Sequence, residues 1–99
     1  LPEKTALLTN YPNPFNPETW IPYHLAEPAD VKVRIYAADG ALVRTLVLGH
    51  QIAGIYENRT RAAYWDGKNE VGEPVASGVY FYTFIAGDFT ATRKMLIVK

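Results

Sequence analysis

Asp66, Asn69, Glu70 and Glu73 set three carboxylates and one amide within eight residues, an oxygen-rich cluster of the kind calcium takes. Their spacing departs from the D-x-[DN]-x-[DN]-G calcium loop, because Gly67 and Lys68 stand between Asp66 and Asn69. A competing reading needs no ion: Asp and Asn side chains accept hydrogen bonds from backbone a residue or two further on and so stabilise turns by themselves. Neither a metal nor a cofactor is expected, and these four residues stand as the calcium candidates. His24 and His50 are solitary, each without a second histidine or a carboxylate at ligand spacing nearby. Ser77 lies in Ala76-Ser77-Gly78, which lacks the first glycine of a G-x-S-x-G elbow. Acids distant in sequence can meet in space to cleave glycosides, but a small β-domain leaves little room for a deep cleft. The chain is therefore expected not to be an enzyme.

Aromatic side chains are the better lead. Trp20 alternates with Ile21, Tyr23 and Leu25 and so shares a face with Pro22 and His24, opposite the expected core face. Tyr36 follows Lys32 and Arg34 on the charged face of its strand, and Tyr64 precedes Trp65. Flat rings presented by a sheet bind sugar or a protein partner. The plainer alternative covers Trp20 with the proline-rich loop and puts Trp65 in the core. Trp20, Tyr36 and Tyr64, with Lys94 and Lys99 flanking the terminal apolar run, form the candidate partner surface. Asn58-Arg59-Thr60 matches a glycosylation sequon, which has meaning only in a host that uses such sites.

The elements that would hold these residues are strands. Val79-Tyr80-Phe81-Tyr82-Thr83-Phe84-Ile85 is wholly β-branched or aromatic, and Gly67, Gly72, Pro74 and Gly78 punctuate its approach. Pleating sends Tyr80, Tyr82 and Phe84 inward and Phe81 and Thr83 outward. Val31, Val33 and Ile35 alternate with Lys32, Arg34 and Tyr36, and Asp39-Gly40 suits a type I′ hairpin turn back into a strand over residues 41–48. Further strands are expected within residues 5–9, 18–26, 55–65 and 89–98, with Gly49–Gly54 a loop. Pro22 cannot donate to a ladder, so its strand is an edge or bulges there. Pro12, Pro14 and Pro17 keep Asn10–Pro17 extended or turning, with Tyr11 and Phe15 apolar enough to pin it as a packed crossover. A proline-rich ligand for a partner's aromatic groove is the other reading of this segment. About seven strands with Gly and Pro turns and no helical period indicate an all-β antiparallel sandwich, immunoglobulin-like or fibronectin III-like.

The chain has 99 residues, 48% of them hydrophobic and 20% charged, which suits one domain over residues 1–99 with a linker at 1–5. Ten basic and ten acidic residues cancel, leaving no cationic footprint for nucleic acid. No run is long and apolar enough for a spanning helix, so no membrane insertion is expected. Without cysteine there are no disulfides, thiolate metal sites or cysteine nucleophiles. The missing initiator Met suggests a piece of a larger protein, and the isolated piece is expected to be monomeric.

Three separated motifs, Tyr11-Pro12-Asn13-Pro14-Phe15-Asn16-Pro17, the run from Trp65 to Tyr82 and the ending Ala86–Lys99, carry a family likeness. In that order they resemble the immunoglobulin-like domain of the flagellar hook-capping protein and the type A C-terminal sorting domain of type IX secretion cargo. The resemblance implies a non-catalytic sorting or surface-attachment domain of a secreted multidomain protein. Its implied partners are the secretion machinery or cell-surface components, and its implied location is outside the cell or at its surface. The hook-capping likeness alone would imply a structural part of an assembly. Carbohydrate binding through Trp20, Tyr36 or Tyr64, and a plain spacer, are the rival readings.

Overall fold

A computed structural model describes all residues, 1–99. Nine strands follow in order: β1 (Ala6–Leu7), β2 (Thr19–Ile21), β3 (Tyr23–Leu25), β4 (Ala29–Ala37), β5 (Leu42–Gln51), β6 (Gly54–Tyr56), β7 (Ala63–Trp65), β8 (Gly78–Ala86) and β9 (Phe89–Ile97). One layer is a four-stranded antiparallel sheet in the order β5-β4-β8-β9. The other is made of two smaller pieces, β1-β3-β6 and the pair β2-β7. The chain is a β-sandwich of the immunoglobulin-like kind.

Pleating decides what faces the interior. Val31, Val33 and Ile35 of β4, Tyr82 and Phe84 of β8, and Met95 and Ile97 of β9 are all at 2% exposure or less. They meet Ile21, Tyr23, Leu25 and Trp65 from the facing layer in one cluster to which every strand contributes. Burying each large side chain of this kind contributes about 1.5–3 kcal/mol. Tyr80, Tyr82 and Phe84 are buried and Phe81 and Thr83 are not, as the alternation requires.

Five expectations are corrected. The segment 18–26 is two strands, because Pro22 has no N–H to give; the ladder changes partner there, from β7 before it to β1 and β6 after it. Pro22 itself is buried, and its carbonyl accepts from Leu8 N at 3.1 Å, so it does not join Trp20 and His24 on an outer face. Residues 55–65 also contain two strands, β6 and β7, which raises the total to nine. Gly49–Gln51 continue β5 instead of forming a loop, held against Val31, Asp30 and Ala29 beyond a bulge.

The hairpin at Asp39-Gly40 is the fifth correction. A type I′ turn needs positive φ at both central residues, but only Gly40 has it, at 91°. Gly40 N donates to Ala37 O and Ala37 N to Ala41 O, a type I turn closed by a left-handed glycine. Asp39 Oδ1 accepts from Ala41 N at 3.0 Å and holds the loop from its side.

The proline-rich segment packs down as a crossover. Phe15 is buried and meets Trp65 edge-on at 5.7 Å between ring centroids. Phe15 N donates to Leu96 O and Val98 N to Phe15 O, so the segment lies along the end of β9. Asn13 Oδ1 accepts from Leu96 N at 3.0 Å. The buried Asn10 amide donates to Thr19 Oγ1 at 3.0 Å, fixing the entry to the loop.

Candidate functional site

Antiparallel pairing sets Trp20 of β2 directly opposite Tyr64 of β7, with ring centroids 5.5 Å apart. On the other side Tyr11 bridges Trp20 through two backbone hydrogen bonds of 2.8 Å and stacks on its ring at 6.3 Å. The result is a strip of three aromatic rings. Its middle is not bare, because the Arg59 guanidinium lies 4.3 Å above the Trp20 ring. The loop therefore shields Trp20 on one flank and Arg59 covers its face, while Tyr64 remains 44% exposed. Tyr64 donates its hydroxyl to Glu18 Oε1 at 2.6 Å, and that bond, more than its slight burial, pushes its pKa up to about 12. Tyr11 donates to Glu57 O, and Glu57 also pairs with His24.

In the loop Asp66–Glu73 each of the four calcium candidates already has its own partner. Asp66 Oδ1 accepts from Lys68 N and from Arg44 Nη1, both at 3.0 Å. Asn69 Oδ1 accepts from Val71 N and Glu73 N, and Asn69 Nδ2 donates to Glu73 Oε1. Glu70 leaves the cluster altogether: its Oε1 accepts from Thr45 N at 2.6 Å on the open edge of β5. No three Asp, Glu, His or Cys side chains converge anywhere in the chain. The four calcium candidates thus bond to turns, to Arg44 and to a sheet edge, and do not share one oxygen cage.

Tyr36 and Lys94 lie on a different layer from the aromatic strip, on the outer face of the four-stranded sheet, where Phe81 stands between them in register. Lys99 is held at the end of the chain, its N donating to Ser77 Oγ at 3.1 Å and its Nζ to Val75 O. Ser77 thus receives a backbone N–H, with no histidine as its partner. His50 Nδ1 lies 3.1 Å from Asp30 Oδ1 at the surface. Of the candidate partner residues, only Trp20 and Tyr64 meet, and Tyr36 and Lys94 share a second surface. Alternation already set Lys32 and Arg34 beside Tyr36; Arg59 above Trp20 and Phe81 opposite Tyr36 are the additions the structure makes. Alternation along β4 and β8 already pointed Phe81 and Arg34 outward; what was missing was the register.

The family model of the FlgD Ig-like domain matches residues 18–87, from the start of β2 to the turn after β8. The chain belongs to the FlgD Ig-like domain family. Two solved structures share the fold of this FlgD Ig-like domain. Dimeric latent PorU from Porphyromonas gingivalis matches with a TM-score of 0.74 and 19% identity, over 93% of this chain and 9% of that one. PorZ of the same organism, described as an essential bacterial surface component of its type IX secretion system, matches with a TM-score of 0.62 and 17% identity, over 98% of this chain and 12% of that one. At such identities the likeness is one of fold. The chain spans about a tenth of the length of either neighbour, and no curated protein matches it.

Proposed function

We propose that this FlgD Ig-like domain is a non-catalytic module of a larger exported protein and serves as its sorting or surface-attachment domain. The observation that carries the reading is the fold match over nearly the whole chain to PorZ, a surface component of a type IX system, together with the match to PorU. The candidate nucleophile and bases fit it too, since Ser77 accepts from Lys99 N while His24 and His50 each face a carboxylate. Lys94 within β9 and Lys99 just beyond it flank Met95 and Ile97, which are core residues, and are the side chains this reading assigns to recognition.

Fusion of the 99 residues to the C-terminus of a folded periplasmic reporter tests this in a host with a verified type IX system. The reporter is expected at the cell surface. Deleting residues 94–99 strips Met95 and Ile97 from the core, so loss of export there would follow from unfolding alone. Changing only Lys94 and Lys99 to Ser is the sharper variant, expected to keep stability within about 0.5 kcal/mol while leaving the reporter periplasmic. If the intact domain leaves the reporter in the periplasm, the sorting reading is wrong.

The strip Tyr11-Trp20-Tyr64 favours a second reading, a carbohydrate- or protein-binding module. Soluble glycans that change Trp20 emission in the wild type and not in Tyr64→Ala would support it.

A further inference from the structure

The outer face of the four-stranded sheet is a second surface, built independently of the aromatic strip. Register lays its side chains out in rows across the strands. Leu42, Tyr36, Phe81 and Lys94 form one row. Arg34 heads the centre of the next, with Thr83 and Thr92 beside it joined hydroxyl to hydroxyl at 2.8 Å. Lys32 and Ile85 carry the third. Val79 and Leu96 extend the face at one end, each 37% exposed, and no element of this chain covers it.

Charge separates this face from the rest. The chain is neutral as a whole, yet Lys32, Arg34 and Lys94 all stand here. None is within ion-pairing distance of a carboxylate: the ion pairs of the molecule are His24 with Glu57, Arg44 with Asp66 and His50 with Asp30. The one acid on the same face, Asp30, sits at its far end and is held by His50. The acids of the Asp66–Glu73 loop are drawn to Arg44 and to the edge of β5 instead. Unpaired cations spaced among Phe81, Ile85, Val79 and Leu96 call for a partner that brings carboxylates and aliphatic groups together.

We propose that this face docks an acidic polypeptide surface carrying apolar side chains among its carboxylates. The proposal does not depend on the export reading. A polyanionic glycan fits less well, because the aliphatic side chains of Ile85, Val79 and Leu96 stand among the cations and give it nothing to pair with. Strand spacing and rise give the face roughly 500 Å², below the ~800 Å² per partner of a stable protein interface. The contact is therefore weak and leans on charge, which steers encounter and fades with salt.

The test is an NMR titration of the isotope-labelled 99-residue protein with a short peptide of alternating Glu and Val. A Lys–Val peptide of the same length and polygalacturonate serve as the comparison probes. Shifts are expected at Arg34, Phe81 and Lys94 with the Glu–Val peptide alone. They should shrink between about 0.1 M and 1 M salt, as the screening length falls from about 10 Å to about 3 Å. Arg34→Glu is expected to weaken binding about tenfold, and Lys94→Glu, at an exposed position, gives the same readout should the first variant fold poorly. Four outcomes would overturn the proposal: an equal response to Lys–Val, shifts confined to Trp20 and Tyr64, binding of polygalacturonate without binding of the peptide, or self-association through this face seen by sedimentation.

Discussion

The Tyr82 hydroxyl does the work of a backbone group. It accepts from Asn10 N and donates to Leu8 O, both at 3.0 Å, from a ring with no exposed surface. Tyr82→Phe keeps the ring and strands both backbone groups, so a loss of about 1–3 kcal/mol is expected in urea melts. Tyr80 serves as the comparison, since its hydroxyl bonds Ala76 O nearer the surface; Tyr80→Phe should cost less than Tyr82→Phe. The tyrosines also set the alkaline limit. Burial first and Tyr56 second push the Tyr23 pKa up to about 12 against the opposing pull of Arg61, and burial also raises Tyr80 and Tyr82. A folded pKa above the unfolded one means the folded state holds its proton more tightly. The resulting stability is complete below pH 10 and is lost as pH rises towards about 12. Denaturant midpoints should therefore fall across that window, and less steeply in Tyr23→Phe. A flat profile would mean these hydroxyls ionise as they do in water. Tyr64 should contribute little, because water screens its bond to Glu18.

Among the elements, the loop between β7 and β8 shows best what a sequence reveals and what it hides. Gly67 and Gly72 both have positive φ, at 77° and 84°, and composition alone marked them as turn residues. Their surroundings differ. A Cβ on Gly67 would lie 2.2 Å from Pro17 O, whereas Gly72 has nothing within 4 Å. Left-handed strain alone costs a side chain about 1–3 kcal/mol. Gly72→Ala should show that and no more; Gly67→Ala should lose clearly more, because the loop must lift off Pro17. Equal midpoints for the two variants would refute the close approach. The same loop should gain nothing from calcium: a cation held at 100 times its dissociation constant adds about 2.7 kcal/mol, and no such rise in melting temperature is expected. Alternation within β4 and β8 was legible because each strand has one buried face. Pairing was not, since it joins residues more than forty positions apart: Trp20 with Tyr64, Gly67 with Pro17, Phe81 with Tyr36. The split at Pro22 followed from a missing N–H that was noticed, but the change of partner it permits depends on where β1, β6 and β7 lie.

For the whole molecule the question is whether the strap Asn10–Pro17 and the sandwich unfold as one. Phe15 and Asn13 are bonded to the end of β9, and Arg93 Nε reaches back to Leu7 O, 86 residues away. Both ends of the chain are thus tied to each other through the core. Phe15 is at 2% exposure against Trp65, and Tyr82 ties the strap's entry to the centre of β8. We propose that the 99 residues are one cooperative unit, with an unfolding enthalpy of about 60–80 kcal/mol at the midpoint for a domain of this size. Trp fluorescence, which senses Trp65 beside the strap, and far-ultraviolet circular dichroism, which senses the sheets, should then give coincident transitions. Phe15→Ala is the critical variant. Removing a buried ring costs about 3–5 kcal/mol, and in a cooperative unit that loss moves the entire transition to lower denaturant without changing its shape. Were the strap an independent segment, Phe15→Ala would release it early, the fluorescence change would run ahead of the dichroism, and the sandwich would melt at the wild-type midpoint.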